Sequence, residues 1–272
     1  MRSRWSINDL AWDQLLPQRV GSDLLETVKT AALVEANSAD YVRYLHSVFA
    51  GDSAFCTAAT AWGEEEAQHG AALGRWAQGV DPSFDMAASL ARFRAGYRLP
   101  LAATASVRGS RAGELVARCV VESGTCSFYS ALRDRTDEPV LRQICHHIAQ
   151  DEARHYRLFQ AHLARYLDRE RLGWWTRFRI ALERVFESAD DELAYAYYSA
   201  NVSGVPYTRA TCAKAYTRRA LAHYRRQHVL GATHMTLNAI FRQPGRRWVR
   251  LMSAAVWHLL QWRLRHLRQL AA

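Results

Sequence analysis

Two stretches set a glutamate three residues ahead of a histidine: "EEEAQHG" carries Glu66 and His69, and "QDEARHY" carries Glu152 and His155. Side chains three apart share one face of a helix, so each pair can offer a carboxylate oxygen and an imidazole nitrogen to one cation. Both pairs interrupt apolar stripes at helical spacing, Phe55, Ala59, Trp62, Leu73, Trp76 in the first and Leu141, Cys145, Ile148, Phe159, Leu163 in the second. A lone buried carboxylate is costly enough that it neutralises or finds a partner. Two further stripes are each broken by one glutamate, Glu35 among Val28, Ala32, Ala39, Val42 and Phe49, and Glu122 among Leu115, Cys119, Cys126 and Tyr129. Four carboxylates and two imidazoles suit two cations: carboxylates bridge metals in more than one oxidation state, and one imidazole per metal leaves positions open for dioxygen. Chance supplies about 0.5 Glu-x-x-His matches in a chain of this composition, so one pair alone is weak; the set of six is specific. A zinc protease would need His-Glu-x-x-His, which is absent.

The helices that carry these residues have matching lengths. Glu35 and Glu66 are 31 residues apart and Glu122 and Glu152 are 30 apart, so each pair can lie at one level of an antiparallel hairpin with arms of about 20 Å. Two hairpins packed together make a four-helix bundle, and one Glu from each of two helices plus Glu-x-x-His from each of the others is the ligand set of ferritin-like di-iron and di-manganese proteins. The fold expected is therefore all-α, a ferritin-like bundle with additional C-terminal helices. Periodicity and turn residues predict helices over Ser22–Phe49, Ala54–Gln78, Arg111–Arg133, from the Pro139 region to Leu167, Thr176–Ser199, Tyr207–Gln227 and Arg246–Leu270, with "GYRLPLAATASVRGS" loosely structured. These divide into an N-terminal segment (1–21), the bundle (22–168) and additional helices with a basic end (169–272).

The stretches "AWGEEEAQHGAALGRW" and "ICHHIAQDEARHY" resemble the two Glu-x-x-His helices of soluble acyl-carrier-protein desaturases, which have the form Trp-x-x-Glu-Glu-x-x-His-Gly and Ile-x-x-Asp-Glu-x-Arg-His. In "VVESGTCSF", Thr125 follows Glu122 by three residues, similar to the family's Glu-x-x-Thr, whose hydroxyl lies beside the site; a helix hydroxyl bonded to its own preceding turn is the plain alternative. The likeness spans about Val34 to Arg157 and does not extend to the C-terminal third. It implies two iron ions (manganese or a mixed pair being alternatives), dioxygen, an external electron donor such as a ferredoxin-like reductant, an acidic acyl carrier protein, and a homodimer. The activity implied is desaturation or hydroxylation of an apolar, acyl-type chain. A ferritin-like iron-oxidising protein and a di-iron hydroxylase acting on RNA are the alternatives. Arylamine N-oxygenases place a histidine one turn before the second Glu-x-x-His, where this chain has Ile148; His147 would point about 100° away. Metal-bound histidines donate their second nitrogen to an outer acceptor, which nominates Asp151 for His69 and Glu65 for His155, with Arg154 balancing the acids. Trp62 reads as core packing, and Cys119 and Cys126 as small core residues.

The net charge of +10 is uneven: Asn201 to Ala272 contains 13 Lys and Arg and no Asp or Glu, leaving −3 on the other 200 residues. A basic end of this kind expects an anionic partner, and Arg263, Arg265 and Arg268 on the last helix are the docking candidates, for an acyl carrier protein, another acidic protein, RNA or a membrane surface. The five cysteines form no CxxC pair, which speaks against a disulfide framework or structural zinc. "MRSRWSINDLAWDQLL" has no apolar run of signal-peptide type and the longest uncharged C-terminal run has 12 residues, short of the ~20 a spanning helix needs. A cytoplasmic protein is expected.

Overall fold

The computed structural model describes residues 5–187 and 191–269, and every side chain in them except that of Arg268. Among these residues every regular element is helical: short 3₁₀ turns at Ile7–Asp9, Trp12–Gln14 and Pro17–Arg19, then α1 (Ser22–Glu35), α2 (Ser38–Val48), α3 (Ser53–Val80), α4 (Met86–Gly96), α5 (Arg111–Arg135), α6 (Pro139–Glu170), α7 (Trp174–Glu187), α8 (Asp191–Asn201), α9 (Arg209–Leu221), α10 (Arg226–Phe241) and α11 (Arg246–Gln269). No helix among them is long and apolar enough to cross a membrane.

Several boundaries differ from the expectations above. The helix expected over Ser22–Phe49 is two helices, broken at Ala36 and Asn37 immediately after Glu35. The segment expected as Tyr207–Gln227 ends at Leu221, and α10 begins at Arg226. Two helices, α4 and most of α10, occupy stretches where the apolar periodicity predicts none. The span expected as Thr176–Ser199 carries α7 and α8 on either side of residues 188–190, which lie outside the described residues.

The chain divides into two compact units, each made of three stretches: Met1–Thr104, Arg133–His147 and Ser188–Arg219 form the first, and Ala105–Leu132, Ile148–Glu187 and Ala220–Ala272 the second. In the first unit α1 packs on α3, α8 and α4, and α2 packs on α3. Leu33, Phe93 and Ala196 are fully buried together, with Met86, Leu90 and Tyr195 against them. Caps start the helices: Asp52 accepts from the Phe55 amide at 3.1 Å to open α3, and Asp85 accepts from the Ala88 amide at 2.9 Å to open α4. Glu138, fully buried, opens α6 by accepting from the Leu141 amide at 2.7 Å, and also accepts from the Trp76 indole at 2.7 Å and the Leu16 amide at 3.2 Å. The break after Glu35 is held from outside. Arg94 of α4 donates to the Ala36 carbonyl at 2.9 Å and to Asn37 Oδ1 at 3.2 Å, and Ser38 donates to the Gly63 carbonyl at 2.9 Å. Orphan groups at a helix end need such partners.

In the second unit α10 packs on both α7 and α11. Polar bonds link it to α5: Ser127 donates to the His228 carbonyl at 3.1 Å, and Ser123 and Thr236 share a hydrogen bond of 2.9 Å. Tyr156 of α6 donates to the Met235 carbonyl at 2.6 Å. Helices α5 and α6 each begin in one unit and end in the other.

Candidate metal centre

In the first unit Glu35 is the last residue of α1, and Glu66 and His69 lie one turn apart on α3. His69 Nδ1 is 3.8 Å from Glu35 Oε2 and 3.3 Å from Glu66 Oε2. All three side chains are buried, and each offers a ligand atom within 4.8 Å of the other two. Gly70 allows the approach: a Cβ there would meet the Ala36 amide nitrogen at 2.5 Å, so the bare backbone of α3 can lie against the end of α1 just past Glu35.

The second unit repeats the arrangement. Glu122 is on α5 and Glu152 and His155 are one turn apart on α6; His155 Nδ1 is 3.6 Å from Glu122 Oε2 and 3.9 Å from Glu152 Oε1. These three are also buried, with ligand atoms within 4.8 Å of one another. Thr125, one turn from Glu122, places its hydroxyl in a short hydrogen bond to Glu152 Oε2, and the Val121 and Glu122 carbonyls lie at 3.2 and 3.3 Å. The Thr125 hydroxyl therefore meets both its own preceding turn and a site carboxylate.

The donor sets fit metal cations. Two atoms each about 2.1 Å from one cation lie about 3.0 Å apart when cis and about 4.2 Å when trans, and the nitrogen–oxygen separations of both triads fall in that interval. In both it is Nδ1 that faces the carboxylates, which leaves Nε2 for an outer acceptor. Electrostatics point the same way. Burial, and then the neighbouring Glu66 charge, push the Glu35 carboxyl up to about 8, with His69 only partly offsetting them. Without a cation Glu35 holds a proton at neutral pH; a cation in the triad would take that proton's place.

Of the remaining residues singled out by sequence, Asp151 is buried on α6 and ion-paired with Arg154 one turn on, and Glu65 and Trp62 are buried on α3. Cys119 is buried, its thiol pushed far above its usual range by desolvation and then by Glu122, so in the metal-free protein it stays protonated. Cys126 Sγ donates to the Ala149 carbonyl at 3.5 Å. Arg263 and Arg265 are exposed on α11, while the Arg268 side chain lies outside the described residues. Sequence reasoning missed Trp5. This buried ring stacks on His69 (centroids 6.2 Å, planes 8° apart) and on His147 (5.1 Å, 15°), and its carbonyl accepts from Gln68 at 3.1 Å. The one available signal was local, the Ser6–Asp9 capping box that follows it. No family model and no curated protein matches this chain.

Proposed function

We propose that the two triads are halves of one carboxylate-bridged di-metal centre in a ferritin-like four-helix bundle of α1, α3, α5 and α6, and that the protein is a di-iron oxidoreductase acting on an apolar, acyl-type chain. The observation that supports this is duplication: each unit buries one glutamate from one helix and a Glu-x-x-His pair from a later one, α1 and α3 in the first unit and α5 and α6 in the second, with His Nδ1 turned to both carboxylates. An ordinary core does not bury such sets, and the combination suits two cations rather than one tetrahedral zinc. A bound pair of iron ions would accept two electrons from an external donor and use dioxygen to oxidise the substrate. Desaturation balances as substrate, dioxygen, two electrons and two protons giving the alkene and two waters; hydroxylation gives the alcohol and one water. Within this reading Thr125 holds a proton at Glu152 Oε2, Asp151 and Glu65 orient the imidazoles, and the apolar stripes keep water from the reacting carbon.

Elemental analysis after anaerobic Fe²⁺ loading should give about two ions per chain, falling in Glu122→Ala and in Glu35→Ala. A stoichiometry near one that is indifferent to Glu122→Ala would remove the shared centre. With reductant, air and acyl-carrier substrates, mass spectrometry should find a product lighter by two hydrogens or heavier by one oxygen. Rapid iron oxidation with no altered organic product would move the assignment to a ferritin-like iron-oxidising protein.

A further inference from the structure

Helix α11 is apolar on two sides. Val249, Ser253 and Leu264 share one side and are buried, and α11 packs on α10. On the opposite side stand Trp248, Leu251, Leu259 and Trp262, and the two tryptophans are 68% and 59% exposed. At about 100° per residue these four, with Ala255 between them, fall within roughly 80° of one another and form a stripe about 21 Å long. Arg247 and Arg265 flank it on one edge and Arg263 on the other, each about 80° from its centre, and all three are exposed. The same unit also leaves large apolar side chains exposed on α7, Trp174, Trp175, Leu182, Val185 and Phe186, with the Trp174 ring 5.7 Å from Phe241 of α10. A monomer seldom leaves this many large side chains in water without a use for them.

We propose that this face is a docking surface for an anionic lipid leaflet, with α11 lying in the plane of the interface. The reasoning is by charge and shape. From Asn201 onward the chain has 13 Lys and Arg and no Asp or Glu, so the complementary surface is negative. A second copy placed by a two-fold axis would set arginine edge against arginine edge, with no acid on either α11 to receive it. Nucleic acid supplies the negative charge but gives Leu251 and Leu259 nothing to stack on. An acidic carrier protein would satisfy the arginines through their charge alone. A leaflet satisfies the whole pattern: leucine sinks below the headgroups, tryptophan sits at their level, and arginines on both edges reach phosphates. This inference does not depend on the metal reading.

The test is flotation of the full-length, metal-free or loaded protein with vesicles of phosphatidylcholine alone or with about one third phosphatidylglycerol. Partition should be at least tenfold stronger on the anionic vesicles and should weaken with salt. Trp248→Ser/Trp262→Ser should lower it tenfold or more with helix content unchanged, and Leu251→Ser/Leu259→Ser should do the same without touching the aromatic rings. Arg247→Glu/Arg265→Glu should cost at least fivefold per charge changed, on the order expected for surface cations. Equal partition of the parent and both apolar double variants would overturn the proposal. So would a dimer in solution that those variants dissolve, saturable binding to an acidic acyl carrier protein that survives the apolar substitutions, or preference for single-stranded RNA over anionic vesicles.

Discussion

Two carboxylates in the first unit respond to pH in opposite directions. Glu35 has its ionisation raised from 4.5 to about 8 by burial and then by Glu66, so in the metal-free protein it costs stability progressively as pH rises from about 4.5 to about 8. Glu35→Gln should remove that loss: its metal-free form should melt at or above the parent at pH 8 while retaining less iron. A parent whose melting temperature climbs across that window, with no relief in the variant, would contradict the assignment. Calorimetry of metal binding at pH 7 in buffers of different ionisation heat should register proton release in the parent and less in the variant. Asp81 shows the reverse. It takes a 2.6 Å bond from Lys29 and further bonds from Ser83, and is lowered from 3.8 to about 2. Its contribution is present above about pH 4 and is lost as pH falls toward 2. Asp81→Asn should therefore cost about 1–3 kcal/mol at pH 7, since Lys29 is nearly buried, and almost nothing at pH 2. Thr125→Val tests the proton-holding role directly: metals should stay bound while oxygen consumption runs ahead of product. Unchanged product per oxygen would leave Thr125 with only its backbone bonds.

At the scale of elements, the break between α1 and α2 decides where Glu35 points. Apolar residues at helical spacing make helices legible in sequence, which is why α3, α5, α6 and α11 lie close to their expected bounds. The same periodicity hid the break, because Ala32, Ala39 and Val42 continue one stripe through it. The cap-type residues Asn37 and Ser38 were the local signal, and the Arg94 bonds that hold the broken end come from α4, a short helix whose weak apolar contrast gave no reason to assign it. Helix α10 was equally hard to read, since Thr233, His234, Thr236 and Asn238 interrupt its apolar pattern. The six candidate ligands stood out because carboxylates and imidazoles on apolar stripes are conspicuous; Trp5 did not, because its partners are 64 and 142 positions away. Gly70 gives the sharpest test of this geometry. In Gly70→Ala the new methyl must displace the Ala36 backbone, which should cost about 1–3 kcal/mol and loosen metal at Glu35 and His69. A variant with native melting temperature and two tightly held ions would mean that α1 and α3 can separate without consequence for the site.

Across the whole molecule the candidate ligands are buried carboxylates and imidazoles, while exposed aromatic side chains stand on α7, α10 and α11 and the net positive charge gathers in the last quarter of the chain, which has no Asp or Glu. The two kinds of residue call for separate experiments, iron content for one and vesicle flotation for the other, and neither result depends on the other. Chain path adds a further constraint, since α5 and α6 each contribute to both compact units. Heating should give one cooperative transition when followed by helix signal and by tryptophan fluorescence, because melting either unit frays helices of the other. Two separated transitions would mean that α6 can break after His147, and α5 can give up its last turn, at little cost. Glu138 has a consequence in time. It receives the Leu16 amide, while Gln143 receives the Ala11 amide at 3.1 Å and His147 stacks on Trp5. The segment from Trp5 to Leu16 thus binds residues made more than a hundred positions later as well as nearer ones on α3, so its native seat is incomplete until the start of α6 has been synthesised. Until then Trp5 has only its partners on α3, and the segment is more open to whatever chaperone or protease is near.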